Sequence, residues 1–296
     1  MMKTNISRLF LGLSSGILLL TCVARGQVSP TGAVERKAAL HPQDKIMFAD
    51  DFRGSLKPGW KPVLDAAYDT MQGVNYSKRL AVVAAPESEP GRKAVKFVVP
   101  RAEACFRSEI SLPEEEGFHE RWYGGRIYVP ADWQVAADDE VDIVMQWHPV
   151  MGQERVNRAF PNLSIAIQGD HWLLRAAYGK ADNIQRRDGQ GGPLVVGKWV
   201  AWVVHARWNA GDEGLVEVWK DGEPVVKWEG PSVYDIRPRT PYFKTGIYHP
   251  AWKGKAGSAP AQLDDAAGTG KVIYSADFKM GNERATYADV APEGKR

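Results

Sequence analysis

Along most of the chain, apolar and polar residues alternate in short runs that end at turn residues such as Gly, Pro or Asp. In residues 141–147, Val141, Ile143 and Met145 fall on one face of an extended segment. The other face carries Asp142, Val144 and Gln146. The same period predicts strands at 45–51, 94–99, 122–130, 163–168, 172–178, 199–208, 215–219, 225–228 and 272–280. Helical periodicity of any length is missing after the first 26 residues, so the pattern predicts an all-β protein.

The turns between these runs indicate how the strands are connected. Asp221 and Gly222 separate two runs, and this dipeptide favours the tight two-residue turn of a β-hairpin. Regular short strands with such turns favour a sandwich of antiparallel sheets over a fold in which strands alternate with helices. We therefore predict a single-domain β-jelly roll, a concanavalin-like sandwich, over residues 45–285. Residues 27–44 are predicted to be a flexible N-terminal segment, and residues 286–296 a C-terminal tail.

The beginning of the chain has the composition of an export signal. Lys3 and Arg8 precede the apolar run 9–20, which is too short to span a bilayer comfortably. Small residues then lead to a predicted cleavage after residue 26, so residues 1–26 are interpreted as a signal peptide. The alternative is a lipoprotein site at Cys22. In both cases the mature protein is expected to be secreted or periplasmic, without an integral membrane segment.

Composition and charge limit the classes of ligand. Without the leader, which holds three of the 38 basic residues and no acidic residue, the chain has 35 basic and 36 acidic residues. A chain this close to neutrality does not attract nucleic acid or a heavily sulfated polymer through its overall field, so a local cluster of cations must hold an anionic ligand. Cys105 is the single cysteine after the leader, which excludes an intramolecular disulfide. The 11 Trp residues suit a large core or a sugar-stacking groove.

Two segments carry residues that suit acid–base chemistry on a strand. One is the run Gln146-Trp147-His148, although a lone His is more often structural than catalytic because imidazole makes useful hydrogen bonds anywhere. The other contains Arg107 and Glu109, which share a strand face and are predicted to form an ion pair. For Glu109 a purely structural role is the favoured interpretation.

A third segment places a cation and a phenol together. Lys244, Gly246 and Tyr248 share one face of the predicted strand that ends at Tyr248. Because glycine has no side chain, this spacing predicts a shallow basic trough over the surface of a sheet.

With these segments the chain resembles the heparin lyase I-like polysaccharide lyases, a broad family of exported bacterial β-jelly-roll enzymes. The matching stretches follow the order of the family across nearly the whole mature chain, at 49–52, 106–109, 122–130, 146–148, 199–205, 216–222 and 242–248. The resemblance implies cleavage of a uronate-containing polysaccharide by β-elimination. The chain lacks room for the large insertions of some heparin-cleaving members. Its near-neutral charge favours less densely charged uronans, such as glucuronan or alginate.

The resemblance also implies roles for individual residues. In such enzymes a His and a Tyr carry the proton transfers, and these would be His148 and Tyr248. Lys244 matches a lysine of the family, and Arg107 matches its substrate-contacting arginine. Elimination requires neutralisation of the uronate carboxylate, for which Arg107, Lys244 and Gln146 are candidates. His148 suits the base, and Tyr248, near a cation that would favour the phenolate, suits either the acid or the base.

Weaker expectations complete the predicted site. Asn157 is predicted to contact substrate from a loop, and Trp147 to stack on a sugar ring. No cofactor is predicted: the acidic turn 138–140 is a candidate for structural calcium, but a solvated turn is the favoured interpretation. The protein is expected to act as a monomer on an anionic polysaccharide.

Two other classes of function fit the same fold. A carbohydrate-binding protein would bind its polymer without turnover. A glycoside hydrolase needs two carboxylates flanking the sugar bond. Glu140 and Asp142 resemble the carboxylate strand of laminarinase-type hydrolases, but Met145 and Gln146 occupy the place of the second acid. The hydrolase pair is therefore incomplete in the sequence.

Overall fold

The alternating runs of the sequence form strands, with little helix between them. The strands are β1 (Ile46–Asp50), β2 (Lys61–Leu64), β3 (Leu80–Ala84), β4 (Lys93–Val99), β5 (Arg107–Ser111), β6 (Glu115–Glu116), β7 (Glu120–Val129), β8 (Val141–His148), β9 (Leu163–Gln168), β10 (His171–Lys180), β11 (Asn183–Pro193), β12 (Lys198–Arg207), β13 (Leu215–Lys220), β14 (Glu223–Glu229), β15 (Arg239–Thr240), β16 (Tyr242–Tyr248) and β17 (Lys271–Gly281). A 3-10 turn at Pro250–Trp252 and a short helix α1 at Tyr287–Val290 complete the elements.

This computed structural model describes residues 44–65, 78–86, 91–101, 105–135, 140–150, 160–253 and 270–293. All of them belong to one compact unit, Leu40–Arg296. The predicted signal peptide, the lipoprotein alternative at Cys22 and residues 27–43 lie outside the described residues. Within the described ranges, no helix has the length and apolar character needed to cross a membrane.

The strands of the described ranges form two large sheets. The first, called the support sheet, has the order β14-β13-β12-β7-β17-β4-β3, and β1 also pairs with β17. The second, called the cleft sheet, has the order β11-β10-β9-β8-β16-β5-β2, and β6 pairs separately with β15. Neighbouring strands in both sheets are antiparallel. The predicted all-β sandwich of antiparallel sheets is confirmed.

Aromatic side chains fill the core to which both sheets contribute. Trp147, Trp172, Trp202 and Trp208 are at most 1% exposed. The rings of Trp172 and Trp202 meet edge to face across the two sheets, with centroids 5.3 Å apart. Each such residue removes roughly 150–250 Å² from water, so these four indoles contribute substantially to core stability. Core packing is therefore their role.

The hairpin predicted from the dipeptide at 221–222 is confirmed. Asp221 and Gly222 connect β13 to β14, and their φ angles are +52° and +94°. Two consecutive positive φ angles define the mirror-image turn whose twist matches that of the flanking strands.

The predicted C-terminal tail is structured over its first part, so that prediction was wrong for residues 286–293. Thr286 and Asp289 form a reciprocal capping box at the start of α1. Oδ2 of Asp289 also forms an ion pair with Nζ of Lys45, just before β1, at 3.0 Å. Val290 is fully buried, and its carbonyl oxygen lies 1.9 Å from the position that a Cβ would take on Gly124. A glycine in β7 therefore allows this helix to pack on the support sheet.

An irregularity in β8 decides which of its side chains face away from the core. The pairing with β9 shifts between Ile143 and Met145. Val144 and Met145 consequently both belong to the core, while Gln146 joins Ile143 on the opposite face. Strict alternation predicts that Gln146 and Ile143 lie on different faces of the strand. That prediction was wrong, because a bulge inserts an extra residue into β8 between Ile143 and Met145.

A second irregularity lies in β16, where the pairing with β8 shifts between Thr245 and Tyr248. Gly246 lies within it and has a φ of +138°. A Cβ on Gly246 would be 2.2 Å from the carbonyl oxygen of Ser108 and 2.6 Å from the Cα of Glu109. Only glycine can combine this backbone conformation with so close an approach of β16 to β5.

We expect Gly246→Ala to lower the free energy of unfolding by about 3 kcal/mol, because the new methyl group meets backbone atoms at a strained φ. Denaturant unfolding monitored by tryptophan fluorescence measures the effect. Gly54→Ala is the matched control, since nothing lies within 4 Å of the position of its Cβ. Equal stability of the two variants would contradict the expected clash.

Candidate active site

Five neighbouring strands of the cleft sheet line one cavity on the face turned away from the core. Its volume is about 890 Å³. One row of its floor runs across the strands from Lys244 to Gln146, then to Ser164 and to Arg175, each paired with the next. The lining residues are Arg107, Val141, Ile143, Gln146, His148, Phe160, Pro161, Ser164, Ala166, Leu173, Arg175, Lys244, Tyr248, Pro250 and Lys253.

His148, the last residue of β8, lines the cavity and pairs with Tyr242 of β16. Its Nδ1 is 3.0 Å from the carbonyl oxygen of Pro149. Because a carbonyl oxygen can only accept, Nδ1 carries the proton and Nε2 of the neutral ring keeps its lone pair. Burial, together with the positive charge of Lys244, lowers the pKa of His148 to about 4. The imidazole is therefore neutral near pH 7, with Nε2 able to accept a proton.

Tyr248, the last residue of β16, lines the same cavity and pairs with Arg107 of β5 and with Ile143 of β8. The guanidinium carbon of Arg107 is 5.0 Å from the centroid of the Tyr248 ring. Burial raises the pKa of Tyr248, and the nearby charge of Arg107 offsets this only in part. The expected bias towards phenolate was wrong because desolvation outweighs the cation. The phenol is protonated and can donate.

Lys244 and Gln146, which also line the cavity, meet the buried carboxylate of Glu109. Nζ of Lys244 lies 3.6 Å from Oε2 of Glu109, and Nε2 of Gln146 donates to Oε1 of the same carboxylate. Burial raises the pKa of Glu109 and lowers the pKa of Lys244. The predicted ion pair of Glu109 with Arg107 names the wrong partner, since the ammonium of Lys244 is the cation at ion-pair distance. Glu109 orients both donors and leaves the second N–H of Gln146 for a ligand.

Arg107 is oriented by a second buried carboxylate, Asp65. Nε of Arg107 lies 3.5 Å from Oδ1 of Asp65. The other oxygen of Asp65 accepts the backbone N–H groups of Phe106 and Arg107 at 2.8 and 2.9 Å. It also lies 3.2 Å from the buried guanidinium of Arg79. Asp65 thus anchors the start of β5 and holds the Arg107 side chain beside the cavity.

One predicted substrate contact, Trp147, does not lie in this cavity. Trp147 is fully buried, with its ring 5.3 Å from that of Tyr123 and 5.2 Å from that of Phe243. The prediction that Trp147 stacks on a sugar was wrong, because this position of β8 faces the core. Asn157 lies outside the described residues, as do Asp138 and Asp139 of the calcium candidate. Among the residues that are described, no group of three or more His, Cys, Asp or Glu is arranged to hold a metal ion.

Acidic side chains are missing from the cavity lining in the described part of the chain. Glu140 and Asp142 instead flank the buried His249. Nδ1 of His249 lies 2.8 Å from Asp142 and its Nε2 lies 3.3 Å from Glu140. Asp142 is also 3.1 Å from Nζ of Lys271. The described residues therefore do not assemble the carboxylate pair of a glycoside hydrolase around this cavity.

The cavity also contains residues that the sequence did not single out. Arg175 lies inside a predicted strand, and its Nε and Nη2 are each 2.9 Å from a carboxylate oxygen of Asp188. Phe160 and Lys253 come from segments without strand periodicity. Only the pairing of β8, β9 and β10 brings Arg175 into the row of Gln146, so no local sequence signal could have identified it.

Both the sequence and the fold resemble those of known proteins. The family model described as polysaccharide lyase matches residues 65–280. An endo-β-1,4-glucuronan lyase from the fungus Trichoderma reesei has a TM-score of 0.59 at 17% identity, over 84% of this chain and 100% of that one. The cellulose induced protein Cip1 has a TM-score of 0.49 at 12% identity, over 80% and 98% of the two chains.

A further structural neighbour is alginate lyase A1-II', a member of polysaccharide lyase family-7. Its TM-score is 0.46 at 14% identity, over 76% of this chain and 94% of that one. No curated protein matches the sequence at a significant level. At identities this low, the likeness to the glucuronan lyase shows a shared β-jelly-roll fold.

Proposed function

The chain belongs to the polysaccharide lyase family, carbon–oxygen lyases that act on polysaccharides, and on this premise we propose that it cleaves a uronate polymer by β-elimination in the cavity that His148 and Tyr248 line. The observation that supports this most is the chemistry of the lining. The described lining combines a neutral imidazole, a protonated phenol and several cations, without a carboxylate. Such a set suits removal of a proton beside a carboxylate, and does not suit hydrolysis by two acids.

In the proposed reaction, the C5–H bond and the C4–O bond of one uronate break. A double bond forms between C4 and C5, and the leaving sugar gains a hydroxyl group. Arg107, Lys244 and Gln146 stabilise the carboxylate as it takes up enolate charge. Nε2 of His148 accepts the C5 proton, and the hydroxyl of Tyr248 donates a proton to the leaving oxygen. This division follows from the protonation states, since the imidazole is neutral and the phenol retains its proton.

The proposed substrate is a uronan of moderate charge density, such as glucuronan or alginate, rather than heparin. Three of the cations that line the cavity already have acidic partners, namely Arg107 with Asp65, Lys244 with Glu109, and Arg175 with Asp188. A densely sulfated polymer would leave many of its charges without a partner here, which is costly on desolvation. From the narrower resemblance to heparin lyase I-like enzymes, this proposal therefore takes the roles of residues but not heparin as the substrate.

Ultraviolet absorbance tests this proposal, using protein that starts at residue 27, the proposed start of the exported form. The protein is mixed with glucuronan, alginate and heparin in turn, and reducing ends are assayed in parallel. We expect absorbance to rise with glucuronan or alginate, because elimination creates a conjugated 4,5-unsaturated uronate. New reducing ends without absorbance would mean hydrolysis and would refute the proposed chemistry. Binding without either signal would favour the carbohydrate-binding alternative.

A further inference from the structure

One cation of the cavity has no role in the proposed reaction. Arg107 and Lys244 are assigned to the carboxylate of the reacting sugar, and Arg175 is held by Asp188. Lys253 also lines the cavity. Across the described ranges its ammonium has no acidic partner at ion-pair distance, and the ring of Phe106, with its centroid 6.0 Å away, is its contact.

The backbone of Lys253 is fixed by a 3-10 turn that follows a buried histidine. The N–H of Lys253 donates to the carbonyl oxygen of Pro250 at 3.1 Å and closes the 3-10 turn that follows β16. The residue before this turn, His249, is fully buried and lies 2.8 Å from Asp142. His249 directly follows Tyr248, so the turn holds Lys253 close to the proposed acid. The ammonium itself is exposed and available to an anion.

The ammonium group of Lys253 lies near an aromatic ring. Phe106 precedes Arg107 in the chain, and its ring is 4.7 Å from the guanidinium carbon of Arg107 and 6.0 Å from the ring of Tyr248. An ammonium near this ring gains from the negative face of the π system while it stays hydrated on its other side. The ring of Phe106 therefore holds the charge of Lys253 at the cavity lining, beside the ring that also contacts Arg107 and Tyr248.

We propose that Lys253 binds the carboxylate of the uronate next to the reacting sugar, so that the enzyme recognises charge on at least two consecutive sugars. This inference rests on the proposed function. A uronan repeats one carboxylate on each sugar, and the carboxylate of the reacting sugar is already held by Arg107, Lys244 and Gln146. For Lys253, which has no acidic partner in the described part of the chain, the nearest carboxylate that remains is that of a neighbouring sugar.

The test compares Lys253→Gln with the wild type on oligouronates of increasing length from the polymer that the enzyme cleaves. We expect KM to rise about fivefold at every length with kcat within about twofold, as for one exposed ion pair. Because every cleavable oligomer contains a sugar next to the reacting one, this rise should not depend on length. Lys253→Arg should retain the wild-type KM, and added salt should raise KM less in Lys253→Gln than in the wild type. Lys93→Gln, an exposed lysine of the support sheet, is the matched control.

Two outcomes would overturn this assignment. One is an unchanged KM of Lys253→Gln at every length, and the other is a lower kcat with the same KM, which would place Lys253 in the chemical step. A calorimetric titration of oligouronates into Tyr248→Phe, with and without Lys253→Gln, separates this inference from the proposed function. If the wild type produces no unsaturated ends but Lys253→Gln still weakens binding about fivefold, the binding of a neighbouring carboxylate by Lys253 is supported and the proposed lyase chemistry is refuted. Equal affinities refute only the binding by Lys253.

Discussion

Tyr248→Phe is expected to reduce kcat by about 1,000-fold, within the 100- to 10,000-fold range of a lost general acid or base. Burial keeps the phenol protonated, so the missing hydroxyl is the proposed proton donor for the leaving oxygen. The substituted ring retains its packing, because the contacts with Phe106 and Arg107 involve its faces and edges and not its oxygen. Initial rates of absorbance increase give kcat, and calorimetry with the intact polymer should show affinity within about threefold of the wild type.

The matched control for this variant is Tyr274→Phe. Tyr274 lies in β17 of the support sheet, away from the cavity, and burial raises its pKa as it does for Tyr248. Loss of a hydroxyl there should leave kcat unchanged. If Tyr248→Phe keeps more than about a tenth of the wild-type kcat while Tyr274→Phe is unaffected, the phenol is not the acid. Unchanged thermal unfolding of both variants excludes misfolding as the cause of lost activity.

The sequence predicted strands well where a periodic apolar face coincides with the core. Residues 163–168 were predicted as a strand and form β9 with those bounds. By contrast, β11 was missed, because its residues 183–193 are mostly polar or glycine and largely exposed. This strand exists because it pairs along nearly its whole length with β10. Pairing between strands is a non-local property that periodicity within one segment does not report.

The site was predictable as far as motifs reach. His148, Gln146, Lys244, Tyr248 and Arg107 were identified from their sequence context, and they line one cavity. Their protonation could not be predicted in the same way, because burial depends on strands distant in the sequence. The phenolate expected for Tyr248 is the clearest case, since the neighbouring cation was foreseen and the larger cost of desolvation was not.

The error at Trp147 has a related cause. An indole suits both a core and a sugar-binding groove, and the motif Gln146-Trp147-His148 does not say which face of the strand is buried. In the structure the bulge between Ile143 and Met145 sets the facing of everything that follows it in β8. A one-residue shift in a strand exchanges its two faces. The same bulge that brings Gln146 to the cavity side therefore leaves Trp147 in the core.

His148→Gln is expected to lower kcat/KM by about 1,000-fold, because glutamine fills a similar volume but cannot accept the C5 proton. Rates of absorbance increase at low substrate concentration give this ratio directly. His171→Gln is the matched control, since His171 lies at the start of β10 and is not part of the described cavity lining. Activity of His148→Gln close to that of the control would remove His148 from the mechanism.

The pH dependence of the wild type tests the same assignment without a substitution. A His with an ordinary pKa of 6.5 would lose its base form below about pH 6.5, whereas burial lowers the pKa of His148 to about 4. The neutral, proton-accepting imidazole therefore predominates above about pH 4. We expect kcat/KM to rise with pH through about 4 and to be level near neutrality, because burial raises the pKa of Tyr248 above its ordinary value and the acid stays protonated there. A fall of kcat/KM below about pH 6.5 would show that the base is more exposed than His148. If the residual activity of His148→Gln shows the same fall at low pH, the fall belongs to another group.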